Sequence, residues 1–126
     1  MRLRSLSAGL VLATVLGSSS SAVASGSATT GQSVFAGHCA ACHSTQLGVN
    51  QIGPSLAGIV GSKSGSVAGF DFSIAMKNAQ ITWDDADLDK FLANPAGFVR
   101  GTKMFVNLPN ATDRQNVIAY LDAIKK

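Results

Sequence analysis

Five consecutive residues, Cys39-Ala40-Ala41-Cys42-His43, carry the most reactive group of side chains in this chain of 126 residues. They form a C-x-x-C-H motif, and its two cysteines are the only ones in the sequence. Two thiols three positions apart on a helical turn can add to the two vinyl groups on one edge of a haem. The imidazole of His43 then comes to lie beneath the iron as an axial ligand. The motif therefore predicts one covalently attached haem c.

Two other kinds of site could use the same side chains. A C-x-x-C dithiol redox site follows a strand in a thioredoxin-like sheet, and this chain has no convincing strand pattern. A structural zinc site needs four ligands, which here would be crowded into six positions: His38, Cys39, Cys42 and His43. Haem attachment accounts for the motif better than either alternative, and it leaves His38 as a surface residue.

The sixth position of a haem iron suits a thioether, a soft ligand that favours Fe(II). Met76 and Met104 both follow the motif. Met104 lies in the segment Gly101-Thr102-Lys103-Met104-Phe105, where the glycine lets the backbone turn the sulfur inward. Met76 lies in a short helical stretch and is expected in the core. We therefore predict His43 and Met104 as the two axial iron ligands.

The first 24 residues resemble a secretory signal peptide, with a basic start, an apolar stretch over 6–16 and the small residues Ala22-Val23-Ala24. We expect cleavage after Ala24 and export to the periplasm. An uncleaved anchor is the alternative, although 6–16 is short for a membrane span.

Cleavage would also change the charge of the chain. Without Arg2 and Arg4, eight basic and seven acidic residues remain, a net charge of +1. Such a chain has no strong field for binding nucleic acid or an anionic membrane surface. About a hundred residues is also a poor size for burying a core, which a bound apolar cofactor would help to fill. We expect a monomer without stable membrane insertion.

The remaining sequence predicts helices joined by glycine-rich loops, an all-α fold. Helices are expected at 31–41 and 73–78, from the N-cap Thr82 to Asn94-Pro95, and after a capping box of Thr112 and Gln115. Flexible or loop-like segments are expected at 25–30, 48–69 and 96–111. The domain is expected to cover 31–126.

Beyond the haem motif, the order and spacing of residues resemble a class I cytochrome c, of the soluble branch shared by mitochondrial and many bacterial carriers. The resemblance covers nearly all of 31–126. The matching positions are Gly31, Phe35, Cys39–His43, Gly53, Pro54, Leu56, Gly58, Gly61, Gly69, Phe70, Ser73, Ala75, Trp83, Leu88, Leu92, Pro95, Gly101–Met104, Tyr120 and Leu121.

The resemblance implies a small cytochrome c fold wrapped round one haem, with Gly31 and Phe35 packed on Tyr120 and Leu121. It implies a haem pocket whose members have separate roles. Pro54 would accept a hydrogen bond from the His43 ring, Trp83 would donate to a haem propionate, and Thr102 would close the polar side. An ordinary core aromatic is the alternative for Trp83.

Other pocket positions depart from the family pattern. Phe72 and Phe91 stand where tyrosines are common, Ser62 replaces an arginine and Arg100 replaces a proline. A phenyl ring cannot donate a hydrogen bond to a propionate or to the methionine sulfur. We therefore expect a positive midpoint potential at the low side for Met/His ligation.

These residues predict an electron-transfer protein and not an enzyme: a mobile periplasmic carrier in a respiratory or photosynthetic chain. Partners would dock at the exposed haem edge through apolar contact, with Lys103 and Arg100 as a charged rim. The resemblance implies a quinol–cytochrome c reductase as donor and an oxidase, reaction centre or dehydrogenase as the other partner. The alternatives are a dedicated haem subunit or electron donor or acceptor of a periplasmic oxidoreductase, a gas sensor and a haem peroxidase.

Overall fold

Five helices make up the regular structure of the chain, a computed structural model that describes Gly9 and residues 26–124. They are α1 (Ala28–His38), α2 (Ile74–Asn78), α3 (Asp85–Ala93), α4 (Pro95–Phe98) and α5 (Ala111–Ala123). The described residues contain no strand beyond an isolated bridge between Lys63 and Thr82. The all-α prediction is confirmed. Apart from Gly9, the predicted signal segment lies outside the described residues.

The first and last helices cross at a glycine. A methyl group on Gly31 would collide with the backbone oxygen of Asn116 and lie 2.8 Å from the Tyr120 Cβ. One turn further along, the rings of Phe35 and Tyr120 meet with their centroids 5.6 Å apart. The close crossing expected of Gly31 and Phe35 is therefore present, and it fixes the direction in which α1 delivers the C-x-x-C-H motif.

The start of α1 differs from the prediction. The segment 25–30 was expected to be flexible, but the helix already begins at Ala28. The Ser27 side chain accepts from the Thr30 N–H at 3.2 Å, and the Asn116 side chain accepts from the Ser27 N–H at 2.8 Å. This start depends on a contact 89 positions away along the chain, which no local pattern reveals.

Two predicted N-caps were wrong by two residues. Asp84 caps α3 by accepting from the Asp87 N–H, and the predicted cap Thr82 instead bridges to Lys63. Asn110, not Thr112, caps α5 by accepting from the Asp113 N–H. Asp and Asn are at least as good as Thr at this position, so local competition between neighbouring capping residues explains both errors.

Two short helices, α2 and α4, precede the segment that carries Met104, and α4 adjoins it directly. The helix predicted at 73–78 is present as α2, with Ser73 as its N-cap and Met76 buried beneath it, as expected of a core methionine. The loop expected at 96–111 is wrong at its start, because Pro95 begins the one-turn helix α4. Proline suits the first helical position, where its missing N–H would be unpaired anyway.

The long connection between α1 and α2 is irregular, as its glycines and proline predicted. Its backbone reaches positive φ at several glycines, among them Gly58 and Gly61. Four buried side chains in this connection hold it to the rest of the molecule: Ser55, Ala57, Ile59 and Ser64. Within residues 26–124, no helix is long and apolar enough to cross a bilayer.

The helix crossing predicts opposite effects for two glycines of α1. Gly31→Ala should lower the free energy of unfolding by on the order of 1–3 kcal/mol, because the added methyl group overpacks the crossing. Gly37→Ala should raise it by up to about 1 kcal/mol, because a Cβ there meets nothing within 4 Å and alanine favours helix. Denaturant unfolding of both variants checks this, and equal effects would contradict it.

Candidate haem site

The C-x-x-C-H motif is wound into a turn at the end of α1. Cys39 is the C-cap residue, and its N–H donates to the Phe35 oxygen at 2.8 Å. The Cys39 carbonyl in turn accepts from the N–H groups of Cys42 and His43, at 3.0 and 2.9 Å. Both cysteines are free thiols and half-buried. The turn therefore holds two thiols and an imidazole in a fixed local arrangement.

The electrostatics of Cys39 do not suit a dithiol redox site. Burial raises the pKa of its thiol to about 11, and the neighbouring Cys42 adds to the rise. Reactive cysteines of oxidoreductases have their pKa lowered instead, to about 3.5–7.5. Among the described residues, no group of three or more His, Cys, Asp and Glu side chains is arranged to hold a metal ion. Neither the dithiol nor the zinc alternative finds support.

The His43 ring is held by the carbonyl of Pro54. Its Nδ1 lies 2.8 Å from the Pro54 oxygen, and because a carbonyl can only accept, Nδ1 must carry the proton. Burial lowers the pKa of His43, and the bond to Pro54 opposes this only in part. The ring is therefore neutral near pH 7, with the lone pair of Nε2 available to a metal. The contact implied by the family resemblance is present.

Gly53 brings the Pro54 carbonyl this close. A Cβ at Gly53 would collide with His43 Cε1 and lie 2.7 and 2.8 Å from the two ring nitrogens. Its N–H also donates to the Cys42 oxygen at 2.7 Å, which ties the loop back onto the motif. Sequence reasoning matched Gly53 to the family pattern but gave it no role. The available signal was a Gly-Pro dipeptide ten residues after the histidine.

Trp83 is packed deep in the core with its polar end free. The residue is 5% exposed, and its ring centroid lies 5.2 Å from that of Phe91 and 6.5 Å from that of Phe98. Its backbone pairs with Gly61 and Ser62. The indole N–H makes no hydrogen bond to a described residue. Every fully enclosed side-chain donor or acceptor in the described part of the chain has a partner, so this N–H is not fully enclosed. The N–H therefore opens onto accessible space, as a donor to a bound anion would.

The two positions that depart from the family pattern nearby offer no further donor. The Ser62 hydroxyl donates to the Ile59 carbonyl at 2.7 Å. Phe72 is half-buried and meets Phe70 edge to face, with ring centroids 4.8 Å apart. The Ser62 proton is therefore already committed within the backbone turn.

Met104 is half-buried against the core, in the segment between α4 and α5. Gly101 has a φ of +95° and packs against Ala75, so a turn that other residues rarely adopt opens this segment. The Met104 N–H lies 3.3 Å from the Thr102 hydroxyl, which accepts from it. The glycine-opened turn predicted from the sequence is present.

An exposed ion pair crosses from this segment to the loop before α2. Lys103 Nζ donates to the Asp71 backbone oxygen at 2.7 Å and to its Oδ2 at 3.0 Å. The Lys103 hydrogen bond and charge hold the pKa of the Asp71 carboxyl below its usual range, with a smaller contribution from Lys77. Because both side chains are largely exposed, this pair stabilises the loop weakly.

These residues fit a covalently bound haem. The neutral imidazole with a free Nε2, the two unpaired thiols on the adjoining turn and the free indole donor match the ligand, the attachment points and the anionic substituents of such a group. The backbone at Gly53 packs directly against the imidazole and restricts its orientation. His38, as expected, is exposed at the end of α1 and takes no part.

Comparison with known proteins agrees with this geometry. The family model described as cytochrome c matches residues 28–125. The chain is 46% identical over 101 residues to a cytochrome c of Euglena viridis, covering 79% of this chain and 99% of that protein. It is 50% identical over 107 residues to cytochrome c2 of Rhodomicrobium vannielii, covering 82% and 83% of the two chains.

Solved structures agree as well. Cytochrome cH from Methylobacterium extorquens superimposes with a TM-score of 0.71 at 42% identity, covering 77% of this chain and 98% of the other. Cytochrome c2 from Rhodospirillum centenum gives a TM-score of 0.75 at 28% identity, covering 80% and 100%. The chain therefore belongs to the cytochrome c family, as a class I c-type cytochrome that carries one covalent haem c and transfers electrons.

Proposed function

We propose that this chain is a mobile electron carrier of the bacterial periplasm, working in a respiratory or photosynthetic chain. Cys39 and Cys42 form the thioether links to the haem, and His43 and Met104 are the axial iron ligands. The observation that carries this proposal is the His43 ring, neutral and fixed by Pro54 at 2.8 Å directly after two unpaired thiols.

The bound haem supplies one-electron chemistry, with its iron alternating between the ferric and ferrous states. The protein's task is to keep the surroundings of the iron the same in both states. The Pro54 carbonyl fixes the imidazole proton on Nδ1, which strengthens Nε2 as a ligand. Met104 would supply a thioether as the second protein ligand, so that no coordination position would remain for a substrate. Filled coordination suits outer-sphere electron transfer rather than catalysis.

The remaining pocket residues control water and charge around the haem. Phe91 and Trp83 would contribute the apolar wall, together with the half-buried Phe72 of the loop before α2. The Trp83 indole N–H would donate to a propionate, while Thr102 supports the backbone of the Met104 turn. The Ser62 hydroxyl already donates to the Ile59 carbonyl, and Phe72 cannot donate a hydrogen bond. The negative charge of the propionates would therefore be only weakly neutralised. This holds the midpoint potential positive but low for Met/His ligation.

Residues 1–24 are proposed as the cleaved signal peptide and 31–126 as the cytochrome c domain. N-terminal sequencing of the exported protein should find Ser25 first.

The proposed partners are a quinol–cytochrome c reductase as donor and an oxidase, reaction centre or dehydrogenase as the other partner. Phe105 is 90% exposed and Val106 is exposed beside it, directly after the proposed ligand Met104. These two side chains form the apolar part of the docking surface.

Replacing Met104 tests the ligand assignment. In Met104→Ala the ferric holoprotein should lose the red charge-transfer band that a thioether ligand gives. Its midpoint potential should fall by on the order of 0.1 V or more, since axial ligands set haem potentials over a range of about 0.8 V. Met76→Leu is the matched control: this residue is buried in α2, so its band should persist. An unchanged spectrum and midpoint in Met104→Ala would falsify the assignment.

Replacing Gly53 tests the role of the imidazole anchor. Gly53→Ala should displace the His43 ring, because the new Cβ overlaps it. We expect a weaker His43–iron bond, seen as shifted low-frequency haem modes in resonance Raman spectra of the holoprotein. The free energy of unfolding should drop by on the order of 1–3 kcal/mol. Gly37→Ala, whose Cβ meets nothing, should leave the Raman spectrum unchanged; identical spectra for both variants would count against the anchor.

The docking surface predicts a weak dependence on salt. With a net charge near zero and Lys103 already paired with Asp71, electrostatic steering contributes little to the encounter. Stopped-flow oxidation of the ferrous protein by a purified terminal oxidase should slow by less than about tenfold between low and physiological ionic strength. Phe105→Ser should slow it at both. A steeper salt dependence would refute docking through apolar contact.

A further inference from the structure

The Met104 segment, residues 99–110, is held at its ends and exposed in its middle. At the first end, Gly101 packs on Ala75 and Lys103 reaches Asp71. Residues 105–107 are exposed. At the second end, Leu108 is buried, and its N–H donates to the Leu92 carbonyl of α3 at 2.8 Å. Lifting Met104 away from its present position therefore requires that one of these two ends be released.

The side chain of Arg114 binds the second end of the Met104 segment. Arg114, in the first turn of α5, donates from Nη1 to the carbonyls of Leu108 at 3.1 Å and Pro109 at 2.8 Å. Its Nε donates to Asp89 Oδ1 of α3 at 2.7 Å. A single guanidinium thus joins α5, α3 and the end of the Met104 segment. A planar guanidinium with donors on separate nitrogens suits three such acceptors, whereas the three donors of a lysine ammonium all sit on one nitrogen.

Burial and position both set Arg114 apart from Lys103. The Arg114 side chain is 13% exposed, against 56% for Lys103, so its contacts are less screened by solvent. A cation near a helix N-terminus is also opposed by the helix dipole. The carboxylate of Asp89 and two backbone oxygens offset that cost, which indicates that the stabilising contribution of this arginine comes from what it binds and not from its helix.

We propose that Arg114 is a positioning residue for the axial ligand: it keeps residues 108–109 on α3 and thereby keeps Met104 on the iron. This inference rests on the proposed role of Met104. The consequence is a protein in which the fraction of molecules with an open sixth coordination position is set by a side chain ten positions away from the ligand.

Imidazole is the probe for that open fraction. It can bind the ferric iron only where Met104 has left, so its apparent Kd falls in proportion as the open population rises. In the holoprotein, Arg114→Gln should bind imidazole about tenfold more tightly than the unchanged chain. It should also lose the thioether charge-transfer band at a pH about one unit lower. Arg100→Gln is the control, because this exposed arginine of the same segment loses the same charge but makes no side-chain hydrogen bond to a described residue.

Two further variants separate the hydrogen-bonding geometry of Arg114 from its charge, and they still provide a test if Arg114→Gln does not fold. Arg114→Lys should bind imidazole more weakly than Arg114→Gln but more tightly than the unchanged chain. Asp89→Asn should give a smaller increase in imidazole affinity than Arg114→Gln, because the two carbonyl contacts remain. If Arg114→Lys bound imidazole as weakly as the unchanged chain, charge alone would account for the effect and the role of the planar guanidinium would be refuted. Equal imidazole affinity in the arginine variants and the unchanged chain would refute the proposal.

Denaturant unfolding distinguishes positioning from general support. A residue that merely stabilises the fold would lower the unfolding midpoint and leave imidazole affinity unchanged, an outcome that contradicts the proposal. Failure of the proposed function is recognised separately, in the unchanged chain: if its ferric spectrum lacks the charge-transfer band, Met104 is not the ligand at all. If the band is present and only the response of Arg114→Gln is missing, the positioning role alone fails.

Discussion

The hydrogen bond from the His43 ring to the Pro54 carbonyl is the contact on which the chemistry of this protein depends. A carbonyl can accept but not donate, so this one contact decides which ring nitrogen carries the proton and which keeps its lone pair. Burial lowers the pKa of the ring and keeps it neutral. The bond forms because Gly53 has no side chain to hold the loop away. The Pro54 carbonyl and the absence of a side chain at Gly53 thus leave the His43 imidazole in a form that can bind a metal.

The same device, a glycine that permits close backbone contact, also supports the frame around the site. Gly31 lets α1 and α5 cross almost in backbone contact, and α1 ends at His38, directly before the C-cap Cys39 where the motif turn begins. The motif is therefore oriented by a helix whose direction is fixed at its far end by residues near the C-terminus. Stability of the crossing and geometry of the thiols are properties of one arrangement.

Met104, the proposed second iron ligand, lies in a segment with little regular structure, and its position depends on contacts at each end. These ends use different chemistry: an exposed lysine–aspartate pair near Gly101, and three hydrogen bonds from the half-buried Arg114 guanidinium at the other end. The Ser62 hydroxyl is bound to a backbone carbonyl, and Phe72 and Phe91 have no donor to offer. Under the proposed ligation, control of the potential therefore lies mainly with apolar packing and the two iron ligands.

The sequence alone determined the chemistry, because C-x-x-C-H places its reactive groups within five residues and needs no long-range information. It also determined the all-α class and the glycine-opened turn before Met104, which follow from local propensities. Local capping rules erred at Thr82 and Thr112, where equally good caps stood two residues away. The role of Gly53, the early start of α1 on Asn116 and the hydrogen bonds of Arg114 were decided only by tertiary structure. Each joins residues distant in the chain, and spacing along a sequence carries no record of which backbone atoms will meet.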